Sequence, residues 1–221
     1  MPPIELTIAQ DVSIAACDLF ERARPRTVAL SGGSTPAPVY SRLATLDFPW
    51  EATHIFFGDE RCVAPDHPDS NFRMAWEALL SKVPAVVHRM PAEDCDATAY
   101  ERELAATFGP GMPQFDLVFL GLGTDGHTAS LFPGDAALNE CERRVVRVER
   151  PDHSRLTLTL PVLSAARLAI FLVTGAAKRA PLAQLLRGDD IPAAWVRAER
   201  ILVVADDDAA RSDAASLLTG G

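Results

Sequence analysis

Five short apolar runs, each closing on a turn of small or acidic residues, constrain this chain most. Thr27–Leu30 ends at Ser31-Gly32-Gly33-Ser34-Thr35-Pro36, and His54–Phe57 at Gly58-Asp59-Glu60-Arg61. Residues 115–120 end at Gly121-Leu122-Gly123, 168–174 at Gly175, and 201–205 at Asp206-Asp207-Asp208. Runs of four to seven apolar residues without polar alternation are buried on both faces, which is the signature of parallel strands. Amphipathic segments lie between them: 8–22, 36–46, 72–82, Ala97–Phe108 and 177–186 carry apolar residues at helical spacing. Pro25 ends the first of these, Pro36 suits a first helical turn, and Ser70 is placed to cap 72–82. Residues 86–90, Val145–Val148 and 156–160 read as further strands, and 161–166 as a short helix. The expected fold is α/β: one mostly parallel sheet with helices on both faces. No repeat or linker-like stretch interrupts it, so a single domain over 1–221 is expected.

The net charge of −9 argues against a general nucleic-acid binder. It leaves room for a small anionic substrate, because a few local cations outweigh a distant negative surface. No apolar run reaches the ~20 residues of a membrane helix. The first residues, Met1-Pro2-Pro3-Ile4-Glu5, have no basic region followed by an apolar core. Cys17, Cys62, Cys95 and Cys141 show neither C-x-x-C nor metal-finger spacing. Reduced thiols in a cytoplasmic protein are therefore expected, with neither membrane nor nucleic acid as partner, as a monomer or small homo-oligomer.

Strand ends of an open parallel sheet share one edge, where such folds place their sites. Gly32 and Gly33 allow consecutive backbone N–H groups to face one anion. Ser34 and Thr35 add hydroxyls, and the following helix start adds partial positive charge. The G-x-x-x-x-G-K-[ST] pattern of nucleoside triphosphatases is absent. Arg61 and Lys178 each follow a strand end and are expected at the same edge, where a phosphate would gain charge-assisted bonds.

Gly121-Leu122-Gly123-Thr124-Asp125-Gly126-His127 packs glycines, a carboxylate and an imidazole behind a strand. It matches the dinucleotide fingerprint in form, with Glu149 about twenty residues further on. That reading is disfavoured, because Pro133-Gly134 interrupts the helix the third glycine should enter. His127 instead reads as a group that titrates near neutrality beside an orienting acid. Asp206, Asp207 and Asp208 read as a charged helix start.

Several of these segments together resemble the glucosamine-6-phosphate isomerase/6-phosphogluconolactonase family. They are Leu30-Ser31-Gly32-Gly33-Ser34-Thr35-Pro36, Gly58-Asp59-Glu60-Arg61-Cys62-Val63, Asp69-Ser70-Asn71, the stretch from Gly121 through Ser130-Leu131-Phe132-Pro133-Gly134, and Arg155-Leu156-Thr157-Leu158-Thr159-Leu160-Pro161. The resemblance spans residues 27–205 in the family's order. It implies a modified Rossmann-like fold shared with glucosamine-6-phosphate deaminase and ribose-5-phosphate isomerase. It also implies hydrolysis of 6-phospho-D-glucono-1,5-lactone in the oxidative pentose phosphate pathway, without metal or organic cofactor. The family's deaminases carry an Asn-Glu pair where this chain has Leu131 and Phe132, and a different pattern after Asp59, so the lactonase branch is favoured. A sugar-phosphate sensor without turnover is a further alternative.

On this reading His127 takes a proton from water attacking C1, with Asp125 and Asp59 as candidates to orient the imidazole. Backbone N–H groups of 121–126 are candidates for the oxyanion. Gly32, Gly33, Ser34, Thr35, Arg61 and Lys178 would hold the 6-phosphate. Arg155 is a candidate for that anion or a sugar hydroxyl.

Overall fold

The computed structural model describes residues 3–211. The strands are β1 (Ile4–Ile8), β2 (Thr27–Leu30), β3 (His54–Phe57), β4 (Asp59–Arg61), β5 (Val86–Val87), β6 (Leu117–Gly121), β7 (Val145–Val148), β8 (Arg155–Leu158), β9 (Leu168–Val173) and β10 (Arg200–Ala205). The helices are α1 (Val12–Ala23), α2 (Pro36–Leu43), α3 (Asn71–Ala75), α4 (Ala97–Phe108), α5 (Leu160–Ser164), α6 (Arg179–Arg187), α7 (Pro192–Trp195) and α8 (Asp207–Ala210). Seven strands form a wholly parallel sheet in the order β1-β10-β9-β6-β2-β3-β5. Its central strands are the uninterrupted apolar runs: β6 is buried from Leu117 to Leu120 and β9 along its whole length.

Asp116 sets the central strands in register at their starts. Its carboxylate accepts from the Arg26 and Thr27 N–H groups at 2.9 and 3.0 Å and pairs with Arg167 at 2.9 Å. An aromatic layer of Phe20, Phe48, Trp50 and Phe119 fills one side, with centroid separations of 4.9 to 6.3 Å. Tyr40 packs edge-on against Phe119. Its hydroxyl accepts from Ser31 N at 2.8 Å and donates to Ser31 O at 2.9 Å. The core thus fixes the residue from which the glycine loop departs.

Four expectations are corrected. The first strand, β1, was not expected. It lies at the sheet edge with Glu5, Leu6, Thr7 and Ile8 exposed, so no burial pattern marks it, and the helix expected from residue 8 starts at Val12 behind its Asp11 cap. Second, β4, β7 and β8 do not join the parallel sheet; they form a separate antiparallel sheet in the order β4-β8-β7. Gly58 links the two sheets: its N–H donates to Leu30 O, and its carbonyl accepts from Leu158 N, both at 2.8 Å. Third, the helix expected over 72–82 begins at Asn71 and continues from Trp76 to Leu80 with π-type bonding, and the strand expected over 86–90 shrinks to two residues. Fourth, Cys62 and Cys95 form a disulfide rather than staying reduced; their Cα atoms lie 5.2 Å apart although 33 positions separate them in sequence. Cys17 is a buried free thiol and Cys141 an exposed one. The end of the helix expected after Asp208 lies outside the described residues.

Candidate active site

The chain turns from β2 to β3 on one side of the sheet and reaches β6 on the other, so the sheet's switch point lies between β2 and β6. Ligands of open α/β sheets bind outside the strand ends at such a point. A cavity of about 340 Å³ opens there. Gly32, Gly33, Ser34, Thr35, Asp59, Arg61, His127, Arg155 and Lys178 all line it. Asp125 does not; it reaches the cavity through His127.

The glycine loop enters α2 without a side-chain cap; Pro36 and Pro38 carry no N–H, so the first turn itself offers an anion only the Ala37 amide, and the loop before it must supply the other donors. Gly33 sits at φ 103°, a conformation costly for any side chain. Thr35 Oγ1 lies 2.7 Å from Thr174 Oγ1, tying the loop to the end of β9. Beyond that end Lys178 lines the cavity; burial lowers its pKa, against the attraction of Asp125. On the other flank Arg61 and Arg155 stand directly opposite in the β4–β8 pair. Like charges so placed repel unless anchored or bridged by an anion. Arg61 Nη1 donates to Asp69 O and Asn71 Oδ1, both at 2.8 Å, and Arg155 Nη2 donates to Asp152 at 2.7 Å.

Asn71 is the functional residue that sequence reasoning left out. Its buried amide donates to Asp59 O at 2.8 Å, accepts from Arg61, and lies flat against Gly32. Glu60 holds it there: the buried carboxylate accepts from Asn71 N and Phe72 N at 2.7 Å, Arg61 N at 2.8 Å and Ser70 Oγ at 3.1 Å. Burial raises the Glu60 pKa, and the three backbone donors oppose this. The available signal was Asp69-Ser70-Asn71, which carried part of the family resemblance but gave Asn71 no role of its own; Ser70, expected as a helix cap, does cap Arg73 N at 3.1 Å.

At the end of β6, Gly123 N donates to His127 O at 2.8 Å and Gly126 N to Gly123 O at 3.1 Å. These two N–H groups are spent inside the turn, which removes them from the expected oxyanion donors. A Cβ on Gly123 would stand 2.1 Å from His127 Nδ1, so only glycine leaves room for the ring. Asp125 Oδ1 lies 2.6 Å from His127 Nδ1 and accepts from His127 N at 3.1 Å. Burial pushes the Asp125 pKa up, but these two contacts outweigh it and hold the carboxyl below its ordinary value. An ionised carboxylate only accepts, so Nδ1 carries the proton, and in the neutral ring the lone pair is on Nε2. Asp59 does not share this role: its carboxylate accepts from Ser130 Oγ at 2.7 Å. Asp125 has the local advantage, two residues away on the same turn.

The chain belongs to the family described as glucosamine-6-phosphate isomerases/6-phosphogluconolactonase, whose pattern it matches over residues 5–204. A 6-phosphogluconolactonase of Synechocystis is 46% identical over 176 residues, covering 75% of this chain and 73% of the relative. The rat 6-phosphogluconolactonase is 38% identical over 210 residues, covering 86% and 81%. Among solved structures, the 6-phosphogluconolactonase of Trypanosoma brucei superimposes with a TM-score of 0.83 at 31% identity, over 95% of this chain and 98% of that one. A monomeric glucosamine-6-phosphate deaminase shares the fold, with a TM-score of 0.77 at 18% identity over 94% and 98% of the two chains.

Proposed function

We propose that this chain hydrolyses 6-phospho-D-glucono-1,5-lactone to 6-phospho-D-gluconate, a step of the oxidative pentose phosphate pathway. One observation carries the reading. A single cavity is lined both by an imidazole whose Nδ1 is bonded to an ionised acid and by a glycine loop, an uncapped helix start and the cations Lys178 and Arg61. The substrate has the matching ends, an electrophilic lactone carbonyl and a dianionic phosphate.

With the phosphate held by the 32–35 loop, Lys178 and Arg61, the lactone ring presents C1 to His127. Holding the charged end fixes the reacting carbonyl, converting binding into orientation. Nε2 takes a proton from water as the water oxygen bonds to C1. The tetrahedral intermediate collapses by breaking the bond from C1 to the ring oxygen, which receives the proton from Nε2. Thr124, which lines the cavity next to the spent amide of Gly123, offers a backbone donor to the oxyanion. Amino-sugar deamination is disfavoured because Leu131 and Phe132 are buried apolar side chains with no proton to move.

No helix among the described residues is long and apolar enough to cross a membrane. A cytoplasmic site of action is our reading; alkylation of freshly lysed cells reads the state of the Cys62–Cys95 pair in that thiol pool. The functional reading is tested by His127→Ala, which should lower kcat at least about 100-fold with little change in KM. Folded protein with full turnover would overturn the assignment of the base.

A further inference from the structure

Asp125 fixes one nitrogen of His127 but does not by itself fix the plane of the ring. Phe132 meets that ring, with centroids 4.4 Å apart and planes inclined by 39°. On Phe132 also rests Arg150, whose Cζ lies 4.0 Å from the centroid, while Arg155 Cζ lies 5.5 Å away. Phe132 thus packs against both the imidazole and the guanidinium. Arg150 is exposed and pairs with no carboxylate among the described residues; the aromatic ring is its contact.

The backbone shows what this placement costs. Between His127 and Phe132 the chain reverses through a tight turn, with Leu131 N donating to Thr128 O at 2.9 Å. Ala129, within that turn, has φ 48°, in the left-handed region that disfavours a residue with a Cβ. Such strain persists where the surrounding structure over-determines it, and it gathers at functional sites. Here the turn brings a buried aromatic ring, five positions on, back onto the imidazole.

Resting on the proposed role of His127 as base, we propose that Phe132 is a positioning residue for that imidazole, with Arg150 as the outer brace that keeps the phenyl ring against it. The ring restricts the tilt that the single Asp125 bond leaves open, so that Nε2 stays aimed at the attacking water. The consequence falls on kcat, because ring orientation matters to proton transfer rather than to holding the phosphate.

The test compares Phe132→Leu, Phe132→Met, Phe132→Tyr and Arg150→Ala on 6-phosphogluconolactone, with circular dichroism as the check on folding. Phe132→Leu should lower kcat about tenfold with KM within about twofold, and Phe132→Tyr, which keeps the ring, should restore kcat to within about twofold of wild type. Arg150→Ala should lower kcat about threefold. Phe132→Met keeps the volume without the ring; it should match Phe132→Leu, and decides the matter if the leucine variant does not fold. Full kcat in the ring-less variants, a loss carried by KM, or an equal loss in Phe132→Tyr would overturn the proposal. His127→Ala separates the two readings: if it retains turnover, the base assignment falls; if it abolishes turnover while Phe132→Leu does not alter kcat, only the positioning role falls.

Discussion

Gly32→Ala tests the link between the glycine loop and the arginine flank. A Cβ on Gly32 would lie 1.8 Å from Asn71 Oδ1 and 2.2 Å from Asn71 Cγ. The amide cannot swing aside freely, because Asn71 is 2% exposed and is bonded at both ends, to Asp59 O and Arg61. Gly32 is not among the positive-φ glycines, so the backbone itself accepts alanine. That substitution alone would stabilise by about 0.4–1 kcal/mol through the unfolded chain. Displacing Asn71 breaks one bond from a charged donor, worth about 1.5–3 kcal/mol, and one neutral bond worth about 1 kcal/mol. The net expectation is a loss of about 2–3 kcal/mol, read from urea unfolding at constant m. Because the damage runs through Asn71, Gly32→Ala added to Asn71→Ala should cost little beyond Asn71→Ala alone; independent sites would add. Arg61 loses its acceptor in either variant, so KM for the phosphorylated lactone should rise in both. Gly32→Ala unfolding like wild type, or the two changes adding in full, would refute the reasoning.

Other consequences can be checked separately. Arg61→Ala and Lys178→Ala should each raise KM for the phosphorylated lactone by roughly 10–100-fold, the size of one charge-assisted bond, and affect unphosphorylated gluconolactone far less; equal losses on both substrates would contradict the phosphate clamp. Burial lowers the Lys178 pKa, so calorimetric affinity for 6-phosphogluconate should fall at an alkaline pH below the ordinary lysine range, and Lys178→Ala should remove that fall. At the other end of the sheet, His54 Nδ1 lies 2.8 Å from His88 Nε2, and burial first, then His88, lowers the His54 pKa. The unfolded chain then takes up this proton more readily than the folded one. The stabilisation is complete above the unfolded value near 6.5 and is lost as pH falls through the folded value, so the urea midpoint should drop between pH 7.5 and 5.5, and less so in His54→Asn. Reducing the Cys62–Cys95 bridge, which closes a separation of 33 residues, should destabilise by up to about 3–4 kcal/mol on the chain-entropy account, measured as melting with and without reductant.

The central fold was legible because burial on both faces leaves an unbroken apolar run, and β2, β3, β6, β9 and β10 each show one. The site loops were legible for a related reason: turns with positive φ or close approach demand glycine, as at Gly33, Gly123 and Gly126. The edge strand β1 was not legible, since a strand that buries little carries no pattern. Nor was β4, whose buried residues Asp59 and Glu60 are polar and are satisfied mainly by partners ten or more positions away.

By itself, then, the sequence determined the parallel sheet, the edge on which chemistry occurs, and the residue types gathered there, because periodicity and glycine placement are local properties. Only the tertiary structure decided that Asp125 rather than Asp59 holds His127, that Asn71 bridges Gly32 and Arg61, that Phe132 folds back onto the imidazole, and that Cys62 meets Cys95. Those are pairings between side chains, and a pairing depends on distances that chain order does not contain.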